Sequence, residues 1–347
     1  MPDPALADLT TLRLGGPARR YVVAPDAEAI AEAVGEADLA GDPLLLVGGG
    51  SNLVVADDGF AGTVLHLTGG GVRVVETGDE VTVTVAAGEP WDDFVARAVA
   101  EGWVGVEALS GIPGTSGATP IQNVGAYGQE VAQTISSVRV WDRLLRGERT
   151  FAAEECGFSY RQSRFKADRV DAWSGRHLVL DVTFRLSWGA LSAPVAYAEL
   201  ARTLGVVVGE RAPLAAVREA VLDLRRSKGM VLDAADHDTW SAGSFFTNPF
   251  VDVADLPAGA PSYPQPDGSV KTSAAWLIER AGFGKGFGLD RPGAQVSLST
   301  KHTLALTNRG GGTTAALLGL AREVRDGVLE RFGIELVNEP VLVGCAL

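Results

Sequence analysis

Hydrophobic and polar positions along this chain follow two periods. Residues 80–86, Glu-Val-Thr-Val-Thr-Val-Ala, alternate strictly, the pattern of a half-buried strand. Short apolar runs at 44–47, 53–55 and 63–67, interrupted by Gly48-Gly49-Gly50, read as strand, loop and strand. Residues 137–141 and 178–186 read as further strands. Helical spacing marks 27–39, with Asp26 placed as N-cap, and 91–100. The character changes after Trp188. Residues 195–204 and 213–226 have helical patterns, with Pro213 suited to the first helical position. Residues 257–271, rich in Pro, Gly and Ser, read as a long loop. A helix at 273–281, a strand at 303–307 and a long amphipathic helix at 313–332 follow. The last segment, 336–343, is apolar around Glu339 and Pro340. No internal repeat is evident, and the shift in character puts a domain break between about 188 and 215.

A length of 347 residues suits two or three domains, and 46% apolar content is enough to bury a sizeable core. The net charge of -13 argues against nucleic-acid or anionic-membrane partners, which need a positive surface, yet leaves room for a local basic pocket. Cys156 and Cys345 are far apart, and His66, His177, His237 and His302 show no ligand spacing, so neither a disulfide framework nor a metal site is expected. With no apolar signal region and no membrane-length apolar run, a cytoplasmic protein is expected.

Three stretches carry candidate chemistry. The first is glycine-rich: Gly48, Gly49, Gly50, Ser51 and Asn52. Its backbone N–H groups suit phosphate oxygens, although it is neither a dinucleotide fingerprint nor a Walker loop, and a plain tight turn is the alternative. The second runs from Gly111 to Gly128 and includes Ile112, Pro113, Gly114, Gln122, Asn123, Gly125, Ala126 and Tyr127. It has five glycines, two prolines and no charge, so it either packs its backbone on a flat ligand or is a buried structural loop. The third is Ser241-Ala242-Gly243-Ser244-Phe245-Phe246-Thr247-Asn248-Pro249. There the two phenylalanines can anchor a tight turn in an apolar wall and leave the Ser244 hydroxyl at a pocket edge. Tyr160-Arg161-Gln162-Ser163-Arg164-Phe165-Lys166 adds a cationic motif.

In this order, with Thr10–Gly16 before them and Glu339 after them, these motifs span nearly the whole chain. The chain thereby resembles the UDP-N-acetylenolpyruvoylglucosamine reductases. The resemblance implies an α+β fold: a two-part FAD-binding domain of the vanillyl-alcohol-oxidase type at 1–210, its core about 16–187, and a smaller α/β substrate-binding domain at 211–332. Residues 333–347 would return to the active site. It also implies that NADPH reduces FAD, which reduces the enolpyruvoyl ether of a UDP-sugar to UDP-N-acetylmuramate in peptidoglycan precursor synthesis. The two glycine-rich stretches would hold FAD. Arg161 would hold the substrate carboxylate as electron density builds on it, through paired hydrogen bonds that a lysine cannot reproduce. Ser244 would protonate carbon, and Glu339, an acid in an apolar run, would join Arg161 at the carboxylate. Tyr160, Tyr197, Lys228 and Asn248 would contact the UDP-sugar. A salt-bridge role for Arg161, a basic helix end for Lys228 and a rival acid in Glu335 stay open. The family usually has lysine where Thr247 stands, a charge that Lys271, Lys285 or Lys301 can supply. A monomer is expected.

Two other functions compete: a flavin oxidase on the same scaffold, and a non-catalytic sugar-nucleotide-binding module. The combination of Arg161, Ser244 and Glu339 favours the reductase, because a binding module needs no proton donor. Related scaffolds attach flavin through a histidine beside a glycine-rich loop, and neither loop here contains one. FAD is therefore expected to be non-covalent. Acid denaturation should release the flavin completely; fluorescence retained on the precipitated polypeptide would contradict this.

Overall fold

In the computed structural model, which describes residues 4–171 and 173–347, the alternating stretch forms strand Glu80–Ala86, with Val81, Val83 and Val85 fully buried. It lies inside an antiparallel sheet ordered Gly147–Ala152, Ile135–Asp142, His177–Trp188, Glu80–Ala86 and Val72–Thr77. Trp103–Val104 pairs with the end of His177–Trp188. A second sheet orders Ala18–Ala24, Phe60–Leu67 and Leu44–Val47, the last two parallel. Helix Ala27–Ala40 starts at Asp26, whose carboxylate accepts from the Ala29 N–H at 2.8 Å, and stops at left-handed Gly41. Helix Trp91–Glu101 buries Trp91, Phe94, Val95 and Ala98, and Phe94 stacks on Phe184 at 5.2 Å. A smaller core joins helices Ala198–Leu204 and Leu214–Ser227 through Leu200, Val217 and Val221.

These elements belong to one compact unit, Ala18–Gly49 with Ala61–Ser227. The other comprises the chain up to Pro17, Gly50–Phe60 and Lys228–Leu347. It contains a sheet of Ser241–Ser244, Ala305–Asn308 and Val296–Leu298, and helices Ala274–Arg280 and Thr314–Phe332. Ser273 and Thr313 cap those helices, accepting from the N–H groups of Trp276 and Ala316. Val341–Val343 pairs in parallel with Leu53–Val55, which ties the C-terminal segment to a strand near the start of the chain. Phe245 and Phe246 lie in the core with Leu277, Ile278 and Leu317. Among the described residues no helix is long and apolar enough to cross a membrane.

Four local expectations change. The division expected at 210 falls instead after Ser227, because helix Leu214–Ser227 packs Val217 and Val221 with Ala108 and Leu200. Residues 195–197 are outside the helix; the Val195 N–H donates to the Glu210 carbonyl at 2.8 Å. Pro213 stands just before its helix, its carbonyl accepting from the Val217 N–H at 3.0 Å. The long loop contains two short strands, Tyr263–Pro264 and Val270–Lys271, which form a small sheet with Phe250–Val251. Phe94→Ala should remove roughly 3–5 kcal/mol of stability, the usual cost of deleting a buried aromatic, as read from urea denaturation.

Candidate functional site

Backbone contact, rather than side-chain contact, defines the first two stretches. A Cβ on Gly49 would stand 2.6 Å from the Gly114 Cα, and one on Gly48 would stand 2.4 Å from the Thr115 hydroxyl oxygen. At Gly49 the two loops therefore touch main chain to main chain, which only glycine permits. Gly50, with φ of +58°, would meet the Leu9 carbonyl oxygen at 1.8 Å if it carried a Cβ. The Asn52 carbonyl accepts from the Val341 N–H. Gly125–Ala126 and Gln129–Glu130 form a hairpin whose turn residues, Tyr127 and Gly128, both have positive φ, as a type I′ turn requires. Tyr127 meets Tyr197 edge-to-face at 5.6 Å, and Tyr197 is 44% exposed.

The Ser116 hydroxyl, fully buried in the same stretch, has no hydrogen-bond partner among the described residues. An orphaned buried polar group costs about 1–3 kcal/mol. Closely apposed glycine backbones beside such a hydroxyl fit a flat, polar ligand of the flavin type. Asn123 is itself well held. Its amide donates to Glu130 Oε2 (2.8 Å) and the Ser159 carbonyl (3.1 Å) and accepts from the Ala132 N–H (3.2 Å). Its side chain thus shapes the loop.

Arg161 donates to the carbonyl oxygens of Asn123 (3.3 Å) and Gly125 (2.8 Å) and lies over the Tyr160 ring at 5.3 Å. Its φ is +54°, and Asn123 and Tyr127 are left-handed too. Such backbone costs about 1–2 kcal/mol per non-glycine residue and persists where surroundings over-determine it. Lys166 Nζ donates to the Arg161 carbonyl at 3.0 Å. Ser163 caps helix Arg164–Ala167 and donates to the Ile121 carbonyl, while Phe165 packs on Phe151. Ser163, Phe165 and Lys166 thus brace the motif around Arg161.

In the unit that contains Ser244, the Glu339 N–H donates to the Phe245 carbonyl at 2.8 Å, and the Thr247 N–H to the Val337 carbonyl at 3.0 Å. This pairing brings the segments carrying Ser244 and Glu339 side by side. Both residues are half-buried, whereas Glu335 is exposed. Gly243, at φ of +73°, turns the chain beside a register shift between Ser241 and Ser244. Asn248 Oδ1 accepts from the Ala274 N–H at 3.0 Å. Lys301 is committed to Asp236 at 2.5 Å, Lys285 is exposed, and Lys271 stands opposite Phe250. Lys228 follows helix Leu214–Ser227 directly and is half-buried.

The sequence reading missed the carboxylates that support the loops. Glu107, fully buried, accepts from the N–H groups of Gly105 and Ala193 at 2.7 Å and from Gln129 at 3.0 Å. An acid between apolar Val106 and Ala108 was the available signal, the same one that marked Glu339. Asp92, in the first turn of its helix, carries no comparable mark. Among the described residues no cluster of His, Cys, Asp and Glu could hold a metal ion.

A family model described as the C-terminal domain of UDP-N-acetylenolpyruvoylglucosamine reductase matches residues 234–343, and one described as an FAD binding domain matches residues 18–147. The UDP-N-acetylenolpyruvoylglucosamine reductase of Thermobifida fusca is 57% identical, over 99% of this chain and 97% of the relative. That of Saccharopolyspora erythraea is 59% identical, over 99% and 95%. The fold is similar to the crystal structure of UDP-N-acetylenolpyruvylglucosamine reductase from Thermus caldophilus, with a TM-score of 0.66 and 24% identity over 98% of this chain and 97% of that one.

Asp238 anchors the segment leading to Ser241–Ser244. Its carboxylate accepts from the Thr300 N–H (2.9 Å) and hydroxyl (2.5 Å) and from Arg309 (2.8 Å). Burial pushes this carboxyl up, but the bonds from Thr300 and Arg309 outweigh it, and its pKa lies below the ordinary value. Its contribution is therefore full above the unfolded carboxylate value of about 3.9 and lost as pH falls through the lower native value. Asp238→Asn should cost roughly 1.5–3 kcal/mol at neutral pH and flatten the acid limb of stability below about pH 4. Urea denaturation across pH checks this; an acid limb as steep as that of the wild type would count against it.

Proposed function

Because this chain belongs to the UDP-N-acetylenolpyruvoylglucosamine reductase family, we propose that Arg161, Ser244 and Glu339 carry the chemistry of that reaction here. The protein is an FAD-dependent oxidoreductase that reduces the enolpyruvoyl ether of its UDP-sugar to UDP-N-acetylmuramate with NADPH, in peptidoglycan precursor synthesis. This also decides against the oxidase and the non-catalytic module.

We read residues 18–147, matched by the FAD binding domain model, as the core of the flavin-binding domain and residues 234–343, matched by the reductase C-terminal model, as the core of the substrate-binding domain. Gly48, Gly49, Gly50, Ser51, Asn52, Gly111, Ile112, Pro113, Gly114, Gln122, Asn123, Gly125, Ala126 and Tyr127 would hold FAD chiefly through main-chain groups, and the Asn123 side chain also shapes its loop. When bound, the flavin supplies hydride transfer from the reduced nicotinamide to the enol ether.

Each catalytic residue has a separate task. Arg161 pairs with the substrate carboxylate and stabilises the charge that develops there as the double bond is reduced. Ser244 donates a proton to the substrate carbon, from a turn that Phe245 and Phe246 lock into the core. Glu339 serves the same carboxylate. The supporting observation is the pairing of 245–247 with 337–339, which holds an acid and a hydroxyl on neighbouring main chains. Tyr160, Tyr197, Lys228 and Asn248 complete the substrate contacts, with Tyr197 set beside Tyr127. The reading includes a cytoplasmic monomer, and the net charge of -13 supports the absence of nucleic-acid partners.

Anaerobic visible spectra test the reading. NADPH should bleach the oxidised flavin bands, and the enolpyruvoyl UDP-sugar should restore them. Ser244→Ala should leave bleaching nearly intact and slow the restoration by roughly 10²–10⁴-fold, the usual loss for a positioned acid. Equal slowing of both half-reactions would make Ser244 structural. A protein that takes up no FAD would remove the reading.

A further inference from the structure

The firmest grip on the uncharged stretch comes from residues outside the assigned site. Gly111 is left-handed, with φ of +71°. Its N–H donates to Asp92 Oδ1 at 2.6 Å, and its carbonyl accepts from Arg225 Nε at 3.1 Å. Asp92 lies in the first turn of helix Trp91–Glu101. Both its oxygens also accept from Arg218 of helix Leu214–Ser227, at 2.7 and 2.9 Å. The same helix start takes up the rest of the turn. The Trp91 N–H donates to the Gly114 carbonyl, and the Trp91 indole to the Leu109 carbonyl, each at 3.0 Å. Gly114 in turn lies against Gly49, so a shift at Gly111 must move the contact between the two glycine-rich loops.

We propose that Asp92 and Arg218 form a latch that positions the Gly111–Gly114 turn for the flavin. Asp92 acts through the Gly111 N–H, and Arg218 acts through Asp92 by keeping that carboxylate ionised and oriented with a two-pronged bond. Both are positioning residues. The pairing also offsets the cost of partly burying the Asp92 carboxylate. The inference rests on the flavin-loop assignment made above.

The test measures flavin release from the holoenzyme on dilution, by recovered FAD fluorescence, together with the visible flavin band and the thermal midpoint. Asp92→Ala should raise the FAD dissociation constant roughly 10–100-fold, the scale of a lost charge-assisted hydrogen bond, and change the shape of the flavin band. Asp92→Asn keeps an oxygen for Gly111 but loses the ion pair, so it should fall between wild type and Ala and serve if the Ala variant fails to fold. Arg218→Ala should resemble Asp92→Asn. Lowered thermal midpoints with unchanged FAD affinity and band shape would overturn the latch while leaving the flavoprotein reading intact. A wild-type chain that binds no FAD would overturn both.

Discussion

A stretch without charges of its own cannot choose its shape, and the Gly111–Gly128 segment is held by charged and amide side chains that reach it from elsewhere. Peptide N–H and C=O groups must find partners when buried. Here Asp92 takes the Gly111 N–H and Arg225 bonds its carbonyl, while Arg161 bonds the carbonyls of Asn123 and Gly125. Glu130 fixes the Asn123 amide, and Gln129, itself held by Glu107, accepts from the Ala108 N–H. Together these bonds hold the segment and its flanks in shape from outside.

That suspension explains why strained backbone gathers here. Asn123, Tyr127 and Arg161 sit in the left-handed region and are each braced by side-chain bonds, a tight hairpin or a neighbouring ring. Arg161 belongs both to the loop's support and to the chemistry assigned to it. A cation that bonds the loop carbonyls is oriented before substrate arrives, which lowers the cost of reorganisation when charge develops. Arg225 shows the limit of the arrangement: its guanidinium is so buried that desolvation lowers its pKa, and its bond to Gly111 is part of what offsets that burial.

The unit holding Ser244 uses main chain for the same purpose. Residues 337–339 run beside 245–247, the phenylalanines lock the turn, and Asp238 fixes the approach to it through Thr300 and Arg309. Ser244 and Glu339 thus sit beside short paired segments whose apolar neighbours lie in the core.

Local features were legible without coordinates because a few neighbouring residues decide them. Asp26 stops the chain and starts a helix, and the valines of Glu80–Ala86 reveal one buried face. The motifs around Arg161, Ser244 and the glycines were likewise readable, since each is contiguous. What escaped was set by partners far apart in sequence. Arg218 is 126 residues from Asp92, and that contact, with the packing of Val217 and Val221, draws helix Leu214–Ser227 into the unit that composition had assigned it away from. The pairing of Val341–Val343 with Leu53–Val55 places a piece of the N-terminal half in the other unit. Asp92 looks like any acid at a helix start, and only the tertiary structure makes it the acceptor for Gly111. Periodicity and capping are properties of a few consecutive residues; membership in a unit and support of a loop are properties of contacts, which exist only once the chain has closed on itself.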